Sequence, residues 1–146
     1  MAARYTNITL DEFDSFMDEM KFERTVVTGG EFVYERHFKR VKAKIRVYSS
    51  ITVNGRARKR GGDAIRVVAF YLNEERWIPT GKNKRVHRVE RWRANLQDRI
   101  DEVRLDIHPD PCPLCNSPML LREGKFGHFY SCSTWAKTKC KGRTTA

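Results

Sequence analysis

Apolar side chains near the start of the chain recur at the spacing of an amphipathic helix. They follow one another at steps of three and four residues: Leu10, Phe13, Met17 and Met20. These steps place them on one face of an α-helix. Thr9 precedes the run and Glu12 lies three residues further on, which are the two positions of a capping box. The pattern therefore predicts a first helix that begins after Thr9.

The following segments alternate apolar and polar residues and predict β-strands. FERTVV and EFVYERHF flank Gly29 and Gly30, which is typical of a hairpin. AKIRVYSSITV alternates over its whole length, and AIRVVAFYL is apolar on both faces, as in a central strand. Residues 77–90 are broken by Pro79 and Gly81 and predict a loop with room for one short strand. We therefore expect an antiparallel sheet of about four strands.

A second helix is predicted before the tail of the chain. Its apolar residues recur at steps of 4, 4, 3 and 4: Trp92, Leu96, Ile100, Val103 and Ile107. The HPDP segment that follows cannot continue a helix. The predicted class is therefore α+β, with the sheet flanked by N- and C-terminal helices. We divide the chain into a basic α+β domain over residues 1–108 and a small separate unit over residues 109–146.

All four cysteines lie in this last unit. Cys112 and Cys115 form C-x2-C, and Cys132 and Cys140 form C-x7-C after a gap of 16 residues. Clustered cysteines serve either as disulfides in an oxidising compartment or as thiolates around a metal ion. The opening of the sequence lacks the apolar core of a secretory signal, which favours a cytoplasmic protein with reduced thiols. We therefore predict one structural zinc ion held by these four cysteines, with His128 as a spare donor outside a filled shell.

The residues around the cysteines resemble the C-terminal zinc ribbons of type IA DNA topoisomerases. Those ribbons read C-P-x-C-G-x-P-M, an apolar strand, a basic turn and G-x-F-x-x-C-S. The matching residues here are Pro113, Ser117, Pro118, Met119, Gly127, Phe129, Cys132 and Ser133. Asn116 replaces the usual glycine, and the last knuckle, CSTWAKTKC, is longer than usual and lacks a proline. The resemblance covers about a quarter of the chain and implies binding of single-stranded DNA.

The ribbon also has the composition of a surface that binds a single strand. Its residues 111–146 carry a net charge of +5 and four aromatic rings. Unpaired bases stack on such rings while lysines meet the phosphates. The predicted contacts are Lys125, Phe129, Tyr130, Trp135 and Lys137. The alternative for Phe126 and Phe129 is that they only cover the hairpin.

Charge is segregated along the whole chain, whose net charge is +11 with a pI near 9.8. Residues 53–93 alone sum to +8, whereas residues 1–30 and 94–110 each sum to −3. Charge runs of this kind are either solvated faces or contacts to a polyanion, and this segregation favours the second. The predicted phosphate contacts lie in two basic loops: Arg56, Arg58, Lys59, Arg60, Lys82, Lys84, Arg85 and Arg88. No apolar run reaches membrane-spanning length.

No convergent set of catalytic residues is visible in the sequence. The acid-x-Lys motif of many metal-dependent nucleases is missing at six acids of the first domain: Glu31, Glu35, Asp63, Glu74, Glu75 and Glu90. Glu123 with Lys125 forms it within the ribbon. We therefore predict a non-enzymatic protein that binds single-stranded DNA during replication, recombination or repair, with a protein partner in such a complex. The alternatives are an accessory nuclease and an RNA-binding or transcription-associated ribbon protein.

Overall fold

The computed structural model of the protein describes residues 8–26, 31–52, 64–81, 84–87 and 89–145. Its helices are α1 (Leu10–Glu19), α2 (Trp92–Arg104) and the short α3 (Trp135–Thr138). The predicted capping box is confirmed, since Thr9 Oγ1 accepts from the Glu12 amide at 3.2 Å and the Glu12 carboxylate accepts from the Thr9 amide. Helix α2 ends earlier than its apolar pattern predicts, because Ile107 pairs with Leu120 in a β-bridge. None of the described helices is both long and apolar enough to cross a membrane.

The main sheet has six strands in the part of the chain that is described. They are β1 (Glu23–Val26), β2 (Glu31–His37), β3 (Ala43–Thr52), β4 (Ala64–Asn73), β5 (Arg76–Pro79) and β6 (Lys84–His87). All neighbours are antiparallel in the order β1-β2-β3-β4-β5, and β6 also pairs with β4. The count exceeds the predicted four because residues 77–90 supply two four-residue strands that pair with successive halves of β4. Such strands are too short to give a clear period in the sequence.

Both long helices contribute to one hydrophobic core. The ring of Phe13 in α1 stacks on Trp92 of α2 at 5.6 Å and contacts Tyr34 of β2 at 5.2 Å. Val47 and Val67, from the two central strands, are fully buried in the same cluster. The α+β class predicted from the sequence is confirmed.

The other face of the sheet carries charged and aromatic side chains in register. Lys44 and Arg46 of β3 both form ion pairs with Glu35 of β2, at 2.7 and 2.6 Å. The Arg46 guanidinium also lies 4.8 Å from the centre of the Phe70 ring. Long cationic side chains therefore cover apolar surface on this face, as Lys and Arg stems commonly do.

The cysteine-containing tail, residues 109–145, forms a three-stranded sheet that we call the ribbon. Its strands are β7 (Met119–Gly124), β8 (Gly127–Cys132) and β9 (Arg143–Thr145), in the order β7-β8-β9. Leu120 is buried in the main core, the Tyr130 hydroxyl donates to the Leu105 carbonyl at 2.6 Å, and Lys137 pairs with Glu74. The ribbon is thus packed against the α+β part, while the proposed division into two domains stays a prediction.

Candidate metal centre and ribbon groove

The four cysteine sulfurs converge on one point. Their Sγ atoms all lie within 4.8 Å of one another, and Cys112 and Cys140 are 3.7 Å apart. Four thiolates at the usual Zn–S distance in tetrahedral geometry would be about 3.8 Å apart. All four cysteines are free, and in the described part of the chain they form the one group of three or more potential ligands. The arrangement fits a single metal ion with four sulfur ligands.

The first pair of cysteines lies on a tight turn closed by backbone hydrogen bonds. The Cys112 amide donates to the Ser117 carbonyl at 2.7 Å, and the Asn116 amide donates back to the Cys112 carbonyl at 2.8 Å. Asn116 adopts a left-handed φ of 66°. Asn is among the few residues with a side chain that occupy this region readily. Its presence at this position is therefore compatible with the turn.

The second pair is brought to the first by α3 and by Gly142. Lys139, with a φ of 59°, ends α3 and turns the chain toward Cys140. The Gly142 carbonyl then accepts from the Cys132 amide at 3.0 Å. A Cβ atom at Gly142 would collide with Cys112 Sγ. Gly142 is thus part of the cluster's framework, although the spacing of the cysteines does not point to it.

Cys115 and Cys132 differ in how readily the thiol loses its proton. Hydrogen bonds, first from Ser117 and then from Cys132 and Thr134, lower the pKa of Cys115. Burial raises the pKa of Cys132, whose sulfur lies 3.0 Å from the Thr134 hydroxyl. A cation at the centre would offset this burial, because metal binding stabilises the deprotonated form of every ligand. His128 is exposed on β8 and does not belong to the cluster.

Beside the cysteines, the ribbon has a groove of about 250 Å³ that combines aromatic and basic residues. We call it the ribbon groove and define it by Arg122, Phe129, Trp135, Lys141 and Arg143. The Arg143 guanidinium lies 4.8 Å from the Phe129 ring centre, and Lys139 Nζ lies 4.7 Å from that of Trp135. Trp135 is 52% exposed. The exposed Trp135 ring and the cations therefore lie together at the surface of the ribbon.

The other predicted contact residues of the ribbon lie in different environments. Tyr130 is buried, with its hydroxyl bonded to Leu105 and its ring edge-on to His108, so its face is not accessible for stacking here. Lys125 lies in the β7–β8 turn beside Phe126, and Lys137 pairs with Glu74.

The predicted contacts of the two basic loops fall mostly beyond the described residues. Lys84 and Arg85 are exposed on β6, which pairs with the first half of β4, whereas the ribbon contacts the turn after β4. The remaining loop contacts lie outside the described residues: Arg56, Arg58, Lys59, Arg60, Lys82 and Arg88. The charge of Lys84 acts on the Asp106 carboxyl, and the Asp106 carbonyl accepts from the Leu121 amide of the ribbon at 2.9 Å. Lys84 is therefore near the contact between the ribbon and the sheet.

The chain matches no protein-family profile, no curated protein and no solved structure. The resemblance to topoisomerase ribbons therefore depends on the motif residues alone. What the structure shows at this site is a cluster of four cysteines suited to a metal ion, within a small antiparallel ribbon.

Proposed function

We propose that the protein binds single-stranded nucleic acid, with DNA preferred, through the ribbon groove, and that a zinc ion bound by the four cysteines holds the ribbon in shape. The observation that carries the proposal is the ribbon groove itself. Two aromatic rings and three cations line it, and no carboxylate does among the residues that the structure describes. Its chemistry matches a flat base joined to an anionic phosphate.

Zinc is the metal that this set of four sulfur ligands favours. Tetrahedral thiolate sites of the C-x2-C type are typical of structural zinc, and a four-sulfur shell leaves no open position for catalysis. The ribbon's own hydrophobic cluster is small, with four buried members in the described part of the chain: Cys112, Met119, Tyr130 and Cys132. Since structural zinc contributes on the order of 10–16 kcal/mol to such small units, the metal would supply much of the ribbon's stability.

Base stacking explains why the protein would prefer a single strand. Trp135 is half exposed and Phe129 lines the same groove, so both rings are within reach of one ligand. A base in a duplex is already stacked on its neighbours, whereas an unpaired base gains roughly 1–3 kcal/mol from an aromatic partner. Arg122, Lys141 and Arg143 would contact phosphates of either form. The rings therefore discriminate between the forms, and the cations provide general affinity.

The test compares Trp135→Ala with Phe126→Ala on matched single-stranded and duplex oligonucleotides. Phe126 is a suitable control because it is 97% exposed in the neighbouring turn and does not line the groove. Trp135→Ala should weaken binding to the single strand by roughly 1–3 kcal/mol and leave duplex binding nearly unchanged. Phe126→Ala should behave like the wild type.

Two results would contradict the proposal: equal binding of single strand and duplex by the wild type, or equal losses on both for Trp135→Ala. Zinc content is measured for each variant, so that loss of the ribbon fold is distinguished from loss of stacking. An RNA strand of the same sequence is titrated in parallel. Tighter binding of that RNA would favour the RNA-binding alternative.

A further inference from the structure

The turn between β2 and β3 forms a second site with the same chemistry as the ribbon groove. A cavity of about 450 Å³ lies there, between residues 37–42 and strand β5. We call it the turn site and define it by three rings and three cations: His37, Phe38 and Trp77 with Lys39, Arg40 and Lys42. Within the described ranges of the chain, no carboxylate lines it. Neither basic loop singled out in the sequence includes these residues.

Trp77 is the anchor of the turn site. Its ring is half-buried, with Lys44 Nζ 4.3 Å from its centre and the His37 ring edge-on at 5.8 Å. Lys44 is itself fixed by its ion pair with Glu35. These contacts hold the indole in one orientation at the end of the sheet, and a ring that is already ordered loses little entropy when a ligand stacks on it.

The cations of the turn site are available to a ligand. Lys39 and Lys42 are exposed and have no ion-pair partner within the part of the chain that the structure describes. Arg40 is 78% exposed and pairs with Asp110 at 3.3 Å. Two unpaired ammonium groups beside three rings form a surface that attracts an anion carrying flat groups.

One contact between the ribbon and the sheet involves residues that are close in sequence to both the turn site and the ribbon groove. Lys137, two residues after Trp135, pairs with Glu74, which lies three residues before Trp77. Backbone hydrogen bonds from His108 to Met119 and from Leu121 to Asp106 fix the ribbon on the same α+β part. The two sites are therefore held in a constant relation.

We propose that the turn site binds a second segment of the single strand that occupies the ribbon groove. The inference rests on the proposed function, and it assigns a binding role to Trp77, Lys39 and Lys42. Binding at one site raises the effective concentration of the same strand at the other, so a long oligonucleotide binds more tightly than either site alone allows. The strand crosses the ribbon–sheet junction.

The first experiment replaces Trp77 and uses a single-stranded oligonucleotide of about 20 nucleotides, longer than one typical site of this kind. Trp77→Leu keeps an apolar side chain but removes the ring, and it should weaken binding about 5- to 150-fold. Trp77→Phe retains a ring and should recover most of this loss. Thermal unfolding of both variants reports whether the fold is retained.

The second experiment does not depend on the half-buried tryptophan. Lys39→Gln with Lys42→Gln removes two exposed charges and should lower the slope of log affinity against log salt by about 1.4 on a single strand. The matched control, Lys21→Gln with Arg99→Gln, removes two charges from the helical side. It should lower the salt slope less than the Lys39/Lys42 double variant does. Neither control residue lines the turn site or the ribbon groove.

The outcomes separate the two proposals. In one outcome, the wild type binds the single strand, Trp135→Ala weakens this binding, and Trp77→Leu and the Lys39/Lys42 double variant bind like the wild type. This outcome overturns the turn-site proposal and leaves the ribbon proposal standing. Loss with the Trp77 and lysine variants but not with Trp135→Ala would overturn the ribbon proposal and, with it, the inference that one strand occupies both sites. A wild type that does not bind single strands overturns both.

Discussion

At the scale of single residues, Glu35 shows how this protein accommodates charge inside a sheet. Its carboxylate accepts from both Lys44 and Arg46, and the Lys44 side chain is only 7% exposed. Burial raises the pKa of Glu35, but the hydrogen bonds from Lys44 and Arg46 and their charges outweigh it, so the pKa lies below the ordinary 4.5. The single Glu35 carboxylate therefore forms ion pairs with two cations on the charged face of the sheet.

Replacing Glu35 should destabilise the protein in a pH-dependent way. Glu35→Gln leaves the buried Lys44 ammonium without its counter-ion, and breaking such a pair costs about 3 kcal/mol of the free energy of unfolding. Because the folded-state pKa of Glu35 is lowered, the stabilisation is present above pH 4.5 and is lost as the pH falls through the folded-state value. Denaturant unfolding of wild type and variant at neutral and acid pH measures the difference.

The difference in stability should be largest near neutral pH and should shrink below pH 4.5. Glu23→Gln is a matched control, because Glu23 pairs in register with Glu35 but is exposed. An equal effect of both variants at all pH values would contradict the account. Since two cations already hold the carboxylate, Glu35 is also poorly placed to bind a metal ion, which weighs against the nuclease alternative.

At the scale of elements, the ribbon depends on positions beyond its cysteines. Gly142 leaves room for Cys112 Sγ, and Asn116 and Lys139 supply the two left-handed turns. The spacing of the cysteines predicted the four ligands. A glycine two residues after the last cysteine was a visible signal, but only the folded geometry shows that its Cβ would meet Cys112 Sγ.

Metal content tests the four-ligand centre directly. The purified protein should carry one zinc ion per chain, and Cys140→Ser should lose it or bind it much more weakly, because a tetrahedral site needs the fourth sulfur. His128→Ala is the control and should retain full zinc, since His128 is outside the cluster. Elemental analysis with a chelator competition gives both values. Full zinc in Cys140→Ser, or its absence from the wild type, would refute the assignment.

At the scale of the whole molecule, the main feature is the junction between the ribbon and the α+β part. The ribbon is attached through Ile107, Leu120 and Tyr130 and not only through the HPDP linker. Leu120 belongs to the core that the helices and the main sheet build. Loss of metal should therefore disturb the junction as well as the ribbon.

The basic loops predicted from the sequence should add affinity without sequence preference. Replacing Arg56, Arg58 and Lys59 with Gln should lower the logarithmic salt slope on a single strand by about 0.7 for each phosphate contact that is lost. Affinity should fall by similar factors for unrelated oligonucleotides, since phosphates carry no sequence information. Titrations at several salt concentrations measure the slope. An unchanged slope would show that these residues form a solvated face.

Much of the architecture was accessible from local pattern. The capping box at Thr9, the apolar steps of α2 and the alternation in β3 each follow from a residue spacing that is visible in the sequence. Strands β5 and β6 were harder to predict, because each has only four residues near Pro79 or Gly81 and shows no clear period. They form because the edge of β4 is available for pairing. A local pattern predicts a helix or a strand only when that element is long enough for the pattern to repeat.

By itself, the sequence determined the α+β class, the two long helices and the four cysteines that can hold a metal, because spacing and periodicity are local properties of the chain. Only the tertiary structure decided which aromatic rings are accessible: Trp135 is exposed and Tyr130 is buried, although they lie five residues apart in the same ribbon. It also decided that Trp77 and the β2–β3 turn meet at one site. Burial and proximity between distant residues depend on how the elements pack, and no local pattern encodes that packing.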